Sequence, residues 1–293
     1  MKKSVTSYCF DRKLKSGELD LRQCVLCAAE TGFDAIEFID FMPPEGYSER
    51  EYAAVLREEA DKNHIEISAF SVGAELLRSD GTGSRDAVER VKSNVDVAAA
   101  LGCRVMRHDV TRGFAPRGNG MKGFFSVKDR LAGACREITL YAAEKGVRTC
   151  VENHGFFCQD SDRVESLVNA VGNDNFGVLL DVGNFLCVDE DPVCAAGRLA
   201  PYAFNVHIKD FIVKDRPDVP PDDAFFMSRG GKYLLGTVPG HGSVPVAACV
   251  RALKRAGYDG YLTLEFEGRE ELFYALESGL KYIENVIKNS KTQ

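Results

Sequence analysis

Short apolar runs alternate with longer amphipathic stretches from one end of the chain to the other. The short runs are rich in Val, Ile and Phe, which favour strands, and the longer stretches show helical periodicity. Such alternation is typical of βαβ units that build a parallel sheet. Eight strands are predicted: Val5–Phe10, Ala35–Ile39, Ile65–Ser71, Arg104–His108, Arg148–Glu152, Gly177–Asp181, Phe204–Lys209 and Tyr261–Glu265.

The helical stretches include SEREYAAVLREEADKN and SRDAVERVKSNVDVAAALG, and several end in glycine, as helix C-termini often do. Eight βα units in 293 residues fit a barrel better than an open doubly wound sheet. An open sheet would usually carry a glycine-rich phosphate turn after its first strand, and the sequence has none there. We therefore expect the α/β class and a single (β/α)8 TIM barrel domain spanning residues 1–293.

Two predicted connections are longer than the others, namely Val110–Phe125 and Phe211–Ser243. Both follow predicted strands, so both are expected at the C-terminal mouth of the barrel. Loops of this length often act as lids or as interfaces.

Composition narrows the classes of partner. The chain is 45% hydrophobic and 28% charged, which suits a large buried core. A net charge of −7 argues against nucleic-acid binding, because phosphate groups need a basic surface. No stretch approaches the roughly 18 apolar residues of a membrane helix, and no apolar run follows the lysines at the N-terminus. We expect a cytoplasmic protein without a membrane partner, acting on a small molecule. The sequence leaves homo-oligomerisation open.

Polar residues gather at the ends of the last four predicted strands, where a barrel core alone would be apolar. The strands end in VENHG, LLDVGNF, NVHIKDF and LTLEFEG, which place Glu152, Asp181, His207 and Glu265 at one level of the mouth. The three carboxylates repel one another unless a cation lies between them. Ordinary ion pairs or caps would explain one such residue more readily than all four. We expect one divalent metal, Mn²⁺ first, with Mg²⁺, Co²⁺ and Zn²⁺ as alternatives.

These four motifs, in this order, resemble the xylose-isomerase-like barrels, also called the sugar phosphate isomerase/epimerase superfamily. The resemblance covers nearly the whole chain and includes the glycine-rich segment GTVPGHGSVP before the last barrel helix. It implies the barrel fold, the metal and a small carbohydrate substrate. The chain departs from the ketose epimerases of that family at three positions, where it carries Asn184 for a histidine, Phe211 for an arginine and His241 for a glutamate.

Six further residues are candidates for substrate contact. Strand alternation places His154 on the same side as Glu152, and Lys209 on the same side as His207. His154 could instead orient a ligand carboxylate, and Lys209 could instead pair with Asp210 or another carboxylate at the mouth. The remaining four are His108, whose direction alternation does not settle; Glu37, equally suited to a structural ion pair; and Asn184 and His241, at the departures from the family pattern.

The resemblance and the quartet together predict proton transfer next to a carbonyl. The metal would polarise substrate oxygens and stabilise an enediolate, while Glu152 or Glu265 would remove and return the proton. That is an isomerase or epimerase. Loss of a β-hydroxyl from the same enediolate would give a lyase of the inosose dehydratase type, and a non-catalytic sugar-binding subunit is a further alternative. An apurinic-site endonuclease is disfavoured, since such an enzyme needs more histidine ligands than this chain offers. This chain has Asn184 where such enzymes have a histidine ligand.

Overall fold

Eight parallel strands close into a barrel in the computed structural model, which describes residues 1–114, 123–216 and 219–290. The strands in the described ranges are β1 (Lys2–Thr6), β2 (Ala35–Ile39), β3 (Glu66–Val72), β4 (Val105–His108), β5 (Arg148–Glu152), β6 (Phe176–Asp181), β7 (Ala203–Ile208), β8 (Asp210–Lys214), β9 (Phe226–Met227), β10 (Tyr233–Thr237) and β11 (Tyr261–Leu264). The order around the barrel is β1-β11-β7-β6-β5-β4-β3-β2. The predicted (β/α)8 barrel is confirmed.

Amphipathic helices surround the barrel and bury their apolar faces against it. They are α1 (Asp11–Ser16), α2 (Leu21–Thr31), α3 (Glu49–Lys62), α4 (Arg85–Leu101), α5 (Phe124–Glu144), α6 (Ser161–Val171), α7 (Pro192–Leu199), α8 (Val246–Arg255) and α9 (Leu272–Asn289). Helix α3 shows why these stretches are helical: Ser48 and Glu51 form a capping box at its start, and Leu56 lies on its buried face. No helix in the described ranges is long and apolar enough to cross a membrane.

The first strand ends earlier than predicted. The expected strand Val5–Phe10 is in fact β1 followed by a 3-10 helix over Ser7–Phe10. The Thr6 hydroxyl accepts a hydrogen bond from the Tyr8 backbone N–H at 3.3 Å, which turns the chain out of the sheet. This turn brings Tyr8 to the rim of the mouth.

The connection Phe211–Ser243, predicted as a long loop, contains most of a second sheet. Strands β8, β10 and β9 form a three-stranded antiparallel sheet beside the barrel. Phe211 and Leu234 are buried there against Cys187, so this connection has a small apolar core of its own. Of the other long connection, residues 115–122 lie outside the described part of the chain.

The interior of the barrel changes character along its axis. Ala69, Val105, Cys150 and Leu179 form a small apolar layer in it, below the mouth. Toward the C-terminal end, the inward-facing positions of several strands are charged. Because the strands are parallel, all of these charged residues meet at one mouth.

Candidate metal centre

Four residues from consecutive strands of the barrel converge at the mouth. Glu152 ends β5, Asp181 ends β6, His207 lies in β7 and Glu265 directly follows β11. Asp181 and His207 are paired in register across β6 and β7. One ligand atom from each of the four lies within 4.8 Å of the others, and we call this set the quartet. The structure thus brings together the four residues that the sequence singled out.

Asp181 is fully buried and only half satisfied. Its Oδ1 accepts hydrogen bonds from the backbone N–H groups of Gly183 at 2.7 Å and Asn184 at 3.0 Å. Its Oδ2 accepts no hydrogen bond from the described residues and lies 3.4 Å from the Lys209 Nζ. Burial raises the pKa of Asp181 to about 7. A buried carboxylate oxygen without a donor is unusual in a folded protein and is suited to bind a cation.

His207 is oriented by a carboxylate behind it. Its Nε2 lies 2.9 Å from Glu37 Oε2, while its Nδ1 lies 2.6 Å from Glu265 Oε2. With Glu37 accepting the Nε2 proton, Nδ1 is the ring nitrogen that would bind a metal, once it has lost the proton that it shares with Glu265. Burial alone would lower the pKa of His207, but Glu37 and Glu265 outweigh it and raise that pKa well above its ordinary value.

Two buried cations moderate the negative charge around the quartet. The Arg107 Nη2 lies 2.6 Å from Glu152 Oε2 and 2.7 Å from Asp109 Oδ1. The Lys209 Nζ lies 3.4 Å from Glu265 Oε1 and 3.1 Å from Glu267 Oε1. Charge repulsion by itself is therefore a weaker argument for a metal than the sequence suggested.

Lysine and histidine also control the ionisation of Glu265. Burial would raise the pKa of its carboxyl group, but Lys209 and His207 lie close enough to hold that pKa well below its ordinary value. Glu265 is therefore ionised at neutral pH and can act as a ligand or as a base.

The donor set and its geometry fit a divalent ion. Three carboxylates and one imidazole are ligands that Mn²⁺, Mg²⁺, Co²⁺ and Zn²⁺ accept. Four ligand atoms converge, and among the described residues Asp181 Oδ2 has no hydrogen-bond donor. Both observations support a metal independently of the net charge.

A cavity of about 310 Å³ opens above the quartet. This mouth cavity is of the size that small-molecule sites usually have. It is lined by Thr6, Tyr8, Ile39, Asp40, Ser71, Gly73, Arg107, Glu152, His154, His207, Lys209, Glu265 and Glu267. Burial, followed by the charge of Glu267, raises the pKa of Tyr8 to about 12, so its hydroxyl stays protonated and can donate a hydrogen bond at neutral pH.

Two of the six predicted substrate contacts line the mouth cavity. His154 is half exposed there, and its Nδ1 lies 3.2 Å from Asp109 Oδ1. Lys209 reaches the cavity as well, and it pairs with Asp181, Glu265 and Glu267. The alternative pairing of Lys209 with Asp210 is not found, because the Asp210 carboxylate accepts hydrogen bonds from four backbone N–H groups.

Two more candidates lie behind the quartet rather than in the cavity. Glu37 is fully buried and accepts hydrogen bonds from Ser71 Oγ at 2.6 Å and Asn205 Nδ2 at 2.8 Å, besides its contact with His207. Asn184 donates from Nδ2 to Glu152 Oε1 at 3.0 Å. Both residues therefore position ligands, and neither lines the cavity.

The last two candidates are not brought to the cavity. His108 is buried outside the barrel lumen, with its ring 6.1 Å from that of Phe176 and its Nδ1 2.9 Å from the Asp109 carbonyl oxygen. The residue of β4 that lines the mouth cavity is Arg107. His241 is exposed on the glycine-rich turn, which is fastened to Asp210 by backbone hydrogen bonds on either side of it.

Sequence reasoning did not identify several residues that line the cavity. Arg107 was one of three neighbouring polar residues at the end of a strand, and its inward direction follows from its alternation with Val105, which lies in the apolar layer of the lumen. Asp40, Tyr8 and Glu267 come after their strands end, where strand alternation no longer predicts direction.

A sequence model of the xylose isomerase-like TIM barrel family matches residues 26–286. The chain belongs to this family. Among curated members, the inosose dehydratase of Lacticaseibacillus casei is 26% identical over 140 residues, which cover 47% of either chain. The match thus spans about half the length of that relative. The inosose dehydratase of Geobacillus thermodenitrificans is 22% identical over 279 residues, covering 90% of this chain and 88% of the relative.

Solved structures of this barrel family have the same fold. The IOLI protein with a bound zinc atom is 19% identical, with a TM-score of 0.75 and complete coverage of both chains. The D-psicose 3-epimerase of Clostridium cellulolyticum H10, solved with D-tagatose, is 17% identical, with a TM-score of 0.74 and coverage of 98% of this chain and 99% of the other. Both solved proteins thus have the same barrel fold as this chain.

Proposed function

We propose that the protein is a divalent-metal-dependent isomerase or epimerase that moves a proton at a carbon next to the carbonyl of a small carbohydrate. The observation that carries the proposal is the placement of two carboxylates. Glu152 ends β5 and Glu265 directly follows β11, and these are the outer strands of the four-strand arc that holds the quartet. Both line the mouth cavity, so a substrate there would meet a carboxylate on either side.

The quartet would hold the metal in this proposal. A bound divalent ion, Mn²⁺ first, would supply Lewis acidity toward the carbonyl and hydroxyl oxygens of the substrate. Glu37 keeps the His207 ring in place, and Asn184 keeps Glu152 in place. Three observations support this role: the set of ligand atoms, the lack of a hydrogen-bond donor to Asp181 Oδ2 among the described residues, and the zinc atom in the solved IOLI protein.

The residues of the cavity divide the chemistry between them. Glu152 or Glu265 takes the proton from carbon and returns it, to the opposite face for epimerisation or to the neighbouring carbon for isomerisation. Arg107, which also lines the cavity, pairs with the Glu152 carboxylate at 2.6 Å. His154 and Lys209 are positioned to hydrogen-bond to substrate hydroxyl groups, because both line the cavity. His154 lies two residues after Glu152 in the chain, and the Lys209 Nζ lies 3.4 Å from Glu265 Oε1.

A second candidate function is elimination of water, and the names of the curated relatives favour it. The first step is the same removal of a proton from carbon by a carboxylate. The neighbouring C–O bond then breaks, a C=C bond forms, and the leaving hydroxyl departs as water after it receives a proton. His154 is suited to donate that proton, since it lies in the cavity beside Asp109.

Deuterium exchange tests the shared step. The Mn²⁺-loaded protein is incubated in D₂O with a panel of ketoses and inososes, and NMR follows the C–H groups next to each carbonyl. We expect exchange for at least one compound, with ultraviolet absorbance of an enone appearing only if water is eliminated. Binding of sugars without exchange at any carbon would refute the proposal and favour a sugar-binding protein.

A further inference from the structure

A second cavity adjoins the mouth cavity. This outer cavity has a volume of about 340 Å³. It is lined by Tyr8, Cys9, Asp11, Arg12, Lys13, Glu18, Phe266, Glu267, Gly268, Glu270, Glu271 and Leu272. Tyr8 and Glu267 line both cavities, so the two meet along an edge that these residues form. No residue of the quartet lines the outer cavity, so the metal site does not explain why this cavity exists.

The walls of the outer cavity are tied together. One wall is the segment from Tyr8 to Glu18, and the other is the segment between β11 and the start of α9. Arg12 Nη2 donates to the Gly268 carbonyl oxygen at 2.9 Å, and the Phe266 backbone N–H donates to Cys9 Sγ at 3.2 Å. These contacts join the walls at two points, so the space is preformed and a ligand would pay little to order it.

The lining indicates which chemistry the outer cavity accepts. Five acidic residues and two basic ones line it, so a phosphate or carboxylate would be repelled. Tyr8 is 37% exposed, and Phe266 and Leu272 add apolar surface. Carboxylates accept hydrogen bonds from hydroxyl groups, while an exposed aromatic face packs against the C–H face of a ring. This combination suits an uncharged, polyhydroxylated ring.

We propose that the outer cavity is a substrate subsite for such a ring, covalently linked to the unit that reacts at the quartet. This inference rests on the proposed function and narrows its substrate class. The substrate is then a glycosylated keto sugar or keto cyclitol without a phosphate group. The reacting unit occupies the mouth cavity, and the linkage crosses the edge at Tyr8 and Glu267.

Calorimetric titration of the Mn²⁺-loaded protein tests the subsite with matched ligands. The pairs are fructose with 6-O-glucosyl-fructose, and an inosose with its O-glucosyl derivative; fructose 6-phosphate is the charged comparison. In at least one pair the glucosylated ligand should bind at least about tenfold more tightly than its parent. The phosphate should give no gain. Equal affinities within both pairs, or tighter binding of the phosphate, would overturn the inference.

Two sets of variants locate the gain. Leu272 lines only the outer cavity, so Leu272→Trp should fill that cavity and abolish the gain while leaving the affinity for the parent ligand unchanged. Tyr8→Ala should reduce the gain and Tyr8→Phe should keep it, because only the former removes the ring. A gain that survives both Leu272→Trp and Tyr8→Ala would contradict the subsite.

The failure of this inference is distinguishable from failure of the proposed function. Deuterium exchange in a parent ketose or inosose, without preference for its glucosylated form, would refute the subsite and leave the proposed function intact. A Leu272-dependent gain in binding without exchange at any carbon would support the subsite and refute the proposed proton transfer.

Discussion

Replacement of Glu37 tests whether the carboxylate behind His207 sets the strength of the metal site. Glu37 is fully buried and its Oε2 lies 2.9 Å from His207 Nε2. Glu37→Gln retains an oxygen that can accept the Nε2 proton in a hydrogen bond. It removes the negative charge that makes the imidazole a stronger metal ligand. Glu37→Ala removes both the charge and the contact that orients the ring.

Partners of metal-ligating histidines typically contribute a factor of about 10–100 to affinity, or roughly 1.4–2.7 kcal/mol. We therefore expect Mn²⁺ to bind Glu37→Gln about tenfold more weakly, near the lower bound, and Glu37→Ala up to about 100-fold more weakly. Competition with a chelator of known affinity measures both values. Ser71→Ala is the matched control, because Ser71 donates to the other oxygen, Oε1, and does not contact the imidazole.

The reasoning would be refuted by a Glu37→Ala protein that has native circular dichroism and wild-type Mn²⁺ affinity. In that case His207 either does not bind the metal or is held in place without Glu37. A loss in Ser71→Ala as large as that in Glu37→Gln would instead indicate a general loosening of the site.

Further variants, and a change of pH, probe the charged groups of the quartet and Lys209. Lys209→Met leaves Asp181 and Glu265 without their buried ammonium group, so thermal melts should show the metal-free variant destabilised by about 3–5 kcal/mol. Addition of Mn²⁺ should stabilise the variant more than it stabilises the wild-type protein. Glu152→Gln and Glu265→Gln should bind metal moderately more weakly but lose about 10²–10⁴-fold in turnover. Excess metal should largely restore the turnover of Asp181→Asn, which is the control. If excess metal restored the turnover of all three variants, neither glutamate would be the base. Metal affinity should fall as pH is lowered through the neutral range, because metal must displace protons from His207, whose pKa is raised, and from Asp181, with its pKa of about 7. Calorimetry in buffers of different ionisation enthalpy should detect the released protons, and an affinity that does not change with pH would contradict this.

The quartet could be predicted from sequence because three conditions coincide at its positions. Each residue ends or directly follows an apolar run, and each is an Asp, Glu or His, which are residue types that bind metals. The runs also occur in an order that a parallel barrel places side by side. Parallel strands all end at the same mouth, so sequence order translates into spatial convergence. The barrel itself follows from the same alternation.

The residues behind and around the quartet depend on contacts that sequence order does not encode. Glu37 and His207 are 170 positions apart and meet because both side chains point into the lumen of the closed barrel, from β2 and from β7. The direction of His108 depends on which face of a four-residue strand is buried, and both faces of β4 are buried. Tyr8 reaches the mouth only because the Thr6 hydroxyl ends the strand early. Each outcome is set by tertiary packing rather than by local pattern.

Anomalous diffraction from crystals soaked in Mn²⁺ would test the metal centre most directly. We predict one strong anomalous peak per chain, within coordination distance of Glu152, Asp181, His207 and Glu265, that is absent from crystals of Asp181→Ala. A peak elsewhere on the chain, or an empty quartet at saturating Mn²⁺, would contradict the account.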